Sequence, residues 1–213
     1  MRKIVLATRN QGKVNELARL LAGLPLQVTS LADLPDAPAI EETGSTFVEN
    51  ARLKALGIQT AVDDHTIVMA DDSGLVVDAL GGEPGVRSAR YAGEDASDAQ
   101  NNALLLERLR GVPHERRTAA FVCTIVLAAQ GRIIWEGEGR CEGYIAEEPS
   151  QGGHGFGYDP LFVPLGYDRT FADMSPEEKD RISHRGRALR AAVEFLNDLT
   201  SQKSRDTLTP ADV

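Results

Sequence analysis

Two long segments with the composition of β-strands are separated by a single short turn signal. They span Thr118–Ala129 and Arg132–Ile145, and only Gln130 and Gly131 lie between them. Two such runs joined by two residues predict a β-hairpin, with the turn type left open. The preceding sequence alternates strand-like apolar runs with helix-like periods, which predicts parallel strands joined by helices. Together these patterns predict an α/β fold with a mixed sheet.

The local signals also predict individual elements. Residues 4–7 form a first strand, and apolar residues at helical spacing follow it over 14–21. Strands are predicted at 66–70 and 75–80, with the polar segment 71–74 ending the first of them. Helices are predicted to start at Thr46, at Ser97 or Asp98, and at Ser175, since each is a good N-cap. The last helix should break near Ser183 and end by residue 199, before a polar, disordered tail over 200–213.

Length and charge narrow the class of protein. The 213 residues suit one domain over residues 1–199, or two lobes that share one sheet. No apolar run approaches the ~20 residues that span a bilayer, so no membrane partner is expected. The net charge of −9 argues against a nucleic-acid partner. Cys123 and Cys141 have no second ligand at metal spacing, which predicts reduced thiols and a cytoplasmic location.

A candidate anion site lies where the first strand leads into the first helix. Its residues are Thr8, Arg9, Asn10, Gln11, Gly12 and Lys13. Backbone N–H groups and the positive end of the helix dipole collect there, and Lys13 adds a full charge. The segment is not a Walker sequence, so an ordinary turn with a surface lysine is the alternative.

Two acidic pairs are candidates for a metal site. Asp71 and Asp72 follow an apolar strand, and Glu41 and Glu42 precede the helix at Thr46. Carboxylates from two parts of the chain that meet at one point would suit Mg²⁺, which prefers oxygen ligands. The alternative is a turn-capping aspartate and solvated surface glutamates.

The C-terminal half carries candidate groups for a flat ring. Phe156 lies on a glycine-rich loop with an acceptor, Asp159, close by. Lys179, His184 and Arg185 gather donors around the predicted helix break. Each of these has a structural alternative, as a core anchor or a surface cation.

Taken together, these motifs resemble those of one family. In chain order they are Thr8-x-Asn10 with Lys13, Glu41-Glu42-Thr43-Gly44, Asn50-Ala51 with Lys54, Asp71-Asp72-Ser73-Gly74-Leu75, Gly81-Gly82-x-Pro84-Gly85, Phe156-Gly157-Tyr158-Asp159-Pro160 and Ser183-His184-Arg185. The chain resembles the inosine triphosphate pyrophosphatase family over about residues 1–199. The resemblance implies an elongated mixed sheet with flanking helices, two lobes around a central nucleotide cleft, and a homodimer.

The resemblance also implies an activity and a role for each matching residue. The activity is Mg²⁺-dependent hydrolysis of non-standard purine triphosphates (ITP, dITP, XTP and dXTP) to the monophosphate and pyrophosphate, which keeps them out of DNA and RNA. Asp72 is then the general base and a metal ligand, and Glu42 completes the metal site. The residues that bind the substrate are Thr8, Arg9, Asn10, Gln11, Gly12, Lys13, Lys54, Ser73, Phe156, Gly157, Tyr158, Asp159, Lys179, His184 and Arg185. Arg9 departs from the small residue expected there, which alters the phosphate loop or adds a cation.

Two other functions remain as alternatives. A pyrophosphatase with a related fold would act on modified pyrimidine triphosphates, and the phenylalanine loop with the His184-Arg185 pair favours purine instead. A nucleotide sensor without hydrolysis would bind and release its ligand unchanged. The clustered carboxylates make a sensor less attractive, because they repel a polyphosphate unless a metal ion is used.

Overall fold

The chain folds around one six-stranded mixed sheet. The computed structural model describes residues 2–206. The strands are β1 (Arg2–Leu6), β2 (Leu26–Ser30), β3 (Ile67–Val77), β4 (Thr118–Ala129), β5 (Arg132–Ile145) and β6 (Phe162–Pro164). Their order in the sheet is β2-β1-β3-β4-β5-β6. β1 pairs in parallel with β2 and β3, and the other neighbours are antiparallel. The predicted mixed α/β sheet is confirmed.

Within residues 2–206, five α-helices flank this sheet. They are α1 (Gln11–Leu21), α2 (Phe47–Gln59), α3 (Asp98–Arg108), α4 (Pro176–Ile182) and α5 (His184–Asp206). Thr46, Ser97 and Ser175 each cap a helix as predicted, in capping boxes that satisfy free N–H groups of the first turn. The break between α4 and α5 falls at Ser183, also as predicted. No helix within residues 2–206 has the length and apolar character that crossing a bilayer requires.

The predicted hairpin forms and its turn type is now defined. Gln130 has φ of 54° and Gly131 has φ of 70°. Positive φ at both central residues is typical of a type I′ turn, whose twist matches that of the flanking strands. The hairpin places β5 beside β4 along nearly its whole length.

Residues 71–74 do not end a strand, which corrects the prediction made from their polar character. β3 runs without interruption from Ile67 to Val77 and pairs with β4 from Val68 opposite Ala128 to Val77 opposite Ala119. Two adjacent aspartates are tolerated inside this strand because each faces a different side of the sheet and meets a cation there. The predicted strands at 66–70 and 75–80 therefore merge into one strand that ends at Val77, and Asp78–Leu80 form a short 3₁₀-helix instead.

The C-terminal helix is longer than predicted. α5 continues to Asp206, so the first seven residues of the predicted tail are helical. Residues 207–213 lie outside the described residues.

The core consists of three apolar clusters arranged around the sheet. On one face, Met69 and Ile125 pack with Leu17 of α1 and Leu189 of α5. On the opposite face, apolar side chains of β1, β3 and β4 pack against α2. A third cluster joins β3, β4 and β5 to α3 and the segment 158–174. Both cysteines are free and buried, as predicted. Helices on both faces thus surround the middle of β3.

Candidate active site

A cavity of about 440 Å³ opens beside the middle of β3. Its walls come from the end of β1, the start of α1, the segment 38–42, α2, β3, the turn 85–90, the loop 156–159 and the helices α4 and α5. The predicted site residues that line it are Thr8, Arg9, Asn10, Lys13, Glu42, Lys54, Asp72, Ser73, Phe156, Gly157, Tyr158, Asp159, Lys179, His184 and Arg185. Folding therefore brings together residues that span most of the chain.

The turn from β1 into α1 forms one end of the cavity. Asn10 is the N-cap of α1, and its Oδ1 accepts a hydrogen bond from the Lys13 N–H at 3.1 Å. The Asn10 N–H donates to Thr8 Oγ1 at 3.2 Å, so the turn is fixed by its own side chains. Arg9 lines the cavity and donates to the carbonyl of Ala37 at 3.3 Å. The helix N-terminus and two cations make this end suitable for an anion.

Two residues of the predicted phosphate loop do not line the cavity. Gln11 is exposed and hydrogen bonds to Asn15 of its own helix at 2.9 Å. Gly12 packs beneath the aromatic loop, where an added Cβ would lie 2.7 Å from Cδ1 of Phe156. Its lack of a side chain thus lets the phosphate loop and the phenylalanine ring approach each other closely.

Asp71 and Asp72 have opposite electrostatic surroundings. Asp71 faces α1 and α5, where Oδ2 lies 2.9 Å from Lys13 Nζ and 3.5 Å from Arg185 Nε. Burial alone would raise the pKa of Asp71, but Lys13, Arg185 and Lys54 outweigh it and hold this pKa well below its usual range. Asp71 is therefore a permanent anion that holds two cations of the site in place.

Asp72 points to the α2 side and has a mixed environment. Its Oδ2 accepts from Asn50 Nδ2 at 3.2 Å, and its Oδ1 lies 3.3 Å from Lys54 Nζ. Burial raises the pKa of Asp72, and the carboxylate of Glu42 adds to the effect, against the opposing charges of Lys54 and Lys13. A carboxyl with a raised pKa in a cavity is a candidate for acid–base chemistry.

Lys54 bridges the two carboxylates that were predicted to bind a metal. Its Nζ lies 3.0 Å from Glu42 Oε1 as well as 3.3 Å from Asp72 Oδ1. Burial lowers the pKa of Lys54, but the surrounding carboxylates outweigh it and the pKa is raised overall. Glu42 and Asp72, from separate elements, thus converge on one positive charge. No three His, Cys, Asp or Glu side chains within the described part of the chain cluster as a metal site.

A buried ion-pair network closes the other end of the cavity. Lys179 Nζ lies 2.9 Å from Glu16 Oε1 and 2.6 Å from Asp159 Oδ2. Arg185 pairs with Glu16 through Nη1 and donates from Nη2 to Ser73 Oγ at 2.9 Å. Burial lowers the pKa of Lys179, and Asp159 and Glu16 reverse that shift, so the ammonium stays charged. The network holds both basic side chains in defined positions.

Aromatic rings line this same end. Lys179 Nζ and Arg185 Cζ lie 5.1 and 5.7 Å from the ring centroid of Phe156. The imidazole of His184 stacks on Phe121, with centroids 4.7 Å apart and planes inclined by 10°. Burial lowers the pKa of His184 well below its usual value, and Arg185 and Lys179 lower it further. His184 is therefore neutral, and within the described residues its Nδ1 has no hydrogen-bond partner.

Several site residues were not identified from the sequence. Glu16 lies one helical turn after Lys13, so an acid on the apolar face of α1 was the available signal. Asn50 was noted in a motif without a role, yet it is fully buried against Asp72. The turn 85–90 contributes Val86, Ser88, Ala89 and Arg90 to the wall. The signal for that turn was the length of the loop over residues 81–93, which contains four glycines and one proline.

The mixed α/β sheet carries a cavity that combines a helix N-terminus, basic side chains, converging carboxylates and aromatic rings, a combination suited to an anionic, ring-bearing ligand. Residues 4–195 match the model of the Ham1 family, and the chain belongs to that family.

Curated relatives and solved structures agree with this assignment. The dITP/XTP pyrophosphatase of Geobacillus kaustophilus is 53% identical over 205 residues, covering 96% of this chain and 99% of the relative. That of Desulforamulus reducens is 51% identical over 197 residues, covering 92% and 96%. A HAM1 protein from Coxiella burnetii superposes with a TM-score of 0.83 at 41% identity, over 93% of this chain and 100% of that one. The Staphylococcus aureus Ham1 protein gives 0.81 at 41% identity, over 92% and 99%.

Proposed function

We propose that this protein hydrolyses non-standard purine nucleoside triphosphates, those of inosine and xanthosine in ribo and deoxyribo forms, to the monophosphate and pyrophosphate. Removal of these nucleotides keeps them out of DNA and RNA. Membership of the Ham1 family and relatives named dITP/XTP pyrophosphatase support the activity. The structural observation that carries it is one cavity whose lining combines the β1–α1 turn and its cations, the ring of Phe156 and the carboxylate of Asp72.

The triphosphate is assigned to the end formed by the β1–α1 turn. Thr8 and Asn10 shape this turn, and Lys13 and Lys54 bring positive charge to the same side of the cavity. Both lysines are already paired with carboxylates, Lys13 with Asp71 and Lys54 with Asp72 and Glu42. Their attraction for a triphosphate is thereby reduced, so this end needs an additional positive charge.

Glu42 and Asp72 fit the binding of Mg²⁺. Their carboxylates come from separate elements and already share the ammonium of Lys54, so the site accommodates a positive charge between them. Both supply hard oxygen ligands, and Mg²⁺ commonly uses one or two carboxylates and keeps several waters. When bound, Mg²⁺ would offset the charge of the phosphates and stabilise the pyrophosphate leaving group.

Asp72 is assigned as the general base. A water oxygen forms a bond to the α-phosphorus, the bond from that phosphorus to the pyrophosphate oxygen breaks, and the water proton passes to Asp72. Asn50 and Lys54 each hold one oxygen of the Asp72 carboxylate, which fixes its orientation. Asp71 stays outside this step because it is paired with Lys13 and Arg185 on the other face of the strand.

The purine is assigned to the aromatic end of the cavity. Phe156 stacks on the base, and donors from His184 and Arg185 recognise the carbonyl at purine position 6. Ion pairs with Glu16 and Asp71 hold Arg185 in place, and Lys179 is fixed between Glu16 and Asp159. Adenine carries an amine at position 6, which would leave these buried donors unpaired. Such a mismatch can reduce kcat/KM by as much as ~10⁴-fold.

The decisive experiment is an assay of pyrophosphate release from ITP, XTP, ATP, GTP and a pyrimidine triphosphate, each with Mg²⁺ and with a chelator. We expect ITP and XTP to be cleaved at least ~10²-fold more efficiently than ATP. Preference for the pyrimidine substrate would favour the related pyrimidine enzymes. Tight binding without pyrophosphate release would favour a sensor, and full activity in chelator would rule out the metal assignment.

Two broader proposals rest on the sequence alone, the first on the family resemblance and the second on the two isolated cysteines. We propose a homodimer, which a molar mass in solution of about twice the 23.0 kDa of one chain would test. We also propose a cytoplasmic location, which fractionation of cells that express the protein would test.

A further inference from the structure

Both backbone polar groups of Gly157, the residue after Phe156, form hydrogen bonds to α3, a helix that does not line the cavity. The Gly157 N–H donates to Asp98 Oδ2 at 2.6 Å, and Asn102 Nδ2 donates to the Gly157 carbonyl at 3.0 Å. Asp98 and Asn102 both belong to α3 and are four residues apart, so they lie on the same face of the helix. Neither side chain is among those that line the cavity.

The rest of the aromatic loop is fixed equally well. The Phe156 N–H donates to Asp159 Oδ2 at 2.8 Å, and the Tyr158 hydroxyl donates to the Ser88 carbonyl at 2.8 Å. Gly157 itself has φ of 63°, in the left-handed region that favours glycine. Hydrogen bonds therefore fix the backbone on both sides of Phe156. The two that involve Gly157 come from α3, whose side chains do not line the cavity.

Asn102 contacts the loop through one end of its side-chain amide. It is only 8% exposed, and its Oδ1 has no hydrogen-bond partner within the described residues. The contact that Asn102→Ala would remove is therefore the hydrogen bond from Nδ2 to the Gly157 carbonyl. Its one hydrogen bond is spent on the loop that carries Phe156.

We propose that Asp98 and Asn102 are positioning residues that set the height and angle of the Phe156 ring, and so determine affinity for the purine part of the substrate. The inference rests on the proposed stacking of Phe156 on the base. The two residues act on the backbone next to Phe156, whereas Thr8 and Asn10 hold the turn that receives the phosphates, although Gly12 of that turn packs against the Phe156 ring.

The test separates the two halves of the ligand by using a probe for each. Inosine monophosphate carries the base, and inorganic tripolyphosphate carries only phosphates. Binding of both is measured by calorimetry to the full chain and to the variants Asp98→Ala, Asn102→Ala and the double variant. Asp95→Ala is the matched control, an exposed acid just before α3. Asp98→Asn keeps an oxygen acceptor and tests whether the hydrogen bond itself matters.

We expect each single alanine variant to weaken inosine monophosphate binding by about three- to tenfold, since each loses one hydrogen bond. KM for ITP should rise by a similar factor with kcat changed less than about twofold, because the loss is of uniform binding. Tripolyphosphate binding and the melting temperature should stay close to those of the unchanged protein, as should all properties of Asp95→Ala. Asp98→Asn should fall within about threefold of the unchanged protein.

Three results would overturn the inference. Equal weakening of both probes would show that α3 supports the whole site rather than the ring. Unchanged inosine monophosphate binding in the double variant would show that the ring does not depend on α3. Failure of the unchanged protein to bind inosine monophosphate, with tripolyphosphate still bound, would overturn the proposed base pocket and this inference with it. If the wild-type protein hydrolysed no ITP but the variants still lost affinity for inosine monophosphate, the proposed reaction would be wrong and this inference would stand.

Discussion

Asp71 and Asp72 are neighbours in the sequence but differ in the face of the sheet that they occupy, in their ion-pair partners and in the direction of their pKa shifts. Alternation along β3 sends them to opposite faces of the sheet. Asp71 meets Lys13 and Arg185, and its pKa is held well below the usual range. The pKa of Asp72 is raised by burial and by Glu42. One strand therefore provides an anion paired with two cations on one face and, on the other, the carboxyl with a raised pKa that is proposed as the general base.

We expect Asp71→Asn and Asp72→Asn to separate stability from turnover. Asp71→Asn leaves Lys13 and Arg185 without their partner and should lower the stability by about 3 kcal/mol, roughly 10 °C in melting temperature for a chain of this size. Asp72→Asn should melt no lower than the unchanged protein at pH 7 while losing at least ~10²-fold in kcat. Thermal unfolding in chelator and pyrophosphate release give the two readouts.

The dependence of these differences on pH follows from the signs of the shifts. The folded pKa of Asp71 is depressed, so its stabilisation is present above the unfolded pKa of about 4 and is lost as pH falls below it. The pKa of Asp72 in the folded state is raised. Its contribution to stability is therefore fully present below the unfolded pKa of about 4 and is lost as pH rises through the folded pKa. A gap between Asp71→Asn and the unchanged protein that widened on acidification would contradict this assignment.

Among the secondary-structure elements, the uninterrupted strand β3 shapes the site. Gly74 follows Ser73 within this strand, opposite Val122 of β4. A Cβ at Gly74 would meet the Ser88 hydroxyl and lie 2.5 Å from the Gly85 carbonyl. The Ser88 hydroxyl in turn accepts from the Leu75 N–H at 2.9 Å. The glycine thus allows the turn 85–90, which forms part of the cavity wall, to pack directly on the strand.

We expect Gly74→Ala to displace this turn. Overpacking should cost about 1–3 kcal/mol, and KM for ITP should rise because Val86, Ser88 and Arg90 lie on the displaced wall. Gly153→Ala is the control, since a Cβ there has nothing within 4 Å and its φ is not in the left-handed region. Melting temperatures and KM values of the two variants provide the comparison. Equal effects of both substitutions would show that the packing at Gly74 has no special role.

In the molecule as a whole, the residues that balance charge at the site are different from those that form the apolar core. The three core clusters are apolar and lie around the sheet rather than at the converging carboxylates. Lys54 pairs with both Glu42 and Asp72 and offsets one of their two negative charges. We therefore expect the fold to form without a divalent ion, and we propose that a triphosphate, which meets cations that are already paired, requires one.

We accordingly expect removal of divalent ions to abolish turnover and leave the fold intact. In chelator the melting temperature should change by less than about 2 °C, equivalent to under ~1 kcal/mol for a chain of this size. Added Mg²⁺ should restore pyrophosphate release to the same preparation. A large drop in melting temperature on chelation would indicate a structural metal instead, and would require a different role for Glu42.

Local signals determined the types of most elements. Thr46, Ser97 and Ser175 satisfy N–H groups within one turn of themselves, and the residues between β4 and β5 act through their own φ angles. Such preferences involve neighbours in the chain, so a single sequence reveals them. The joint order of the motifs, through a family resemblance, also named many residues that line the cavity, but Gln11 and Gly12 do not line it, and the wall residues Val86, Ser88, Ala89 and Arg90 were missed.

Only the tertiary structure determined which of those residues interact with one another. Polar residues 71–74 favour a turn locally, yet pairing with β4 and cations from α1, α2 and α5 keep them in a strand. Glu16 and Lys179 are 163 positions apart, and Asp71 and Arg185 are 114 apart. Charges so distant in the chain interact only after folding has buried them together, where the low dielectric makes each pairing strong and each omission costly.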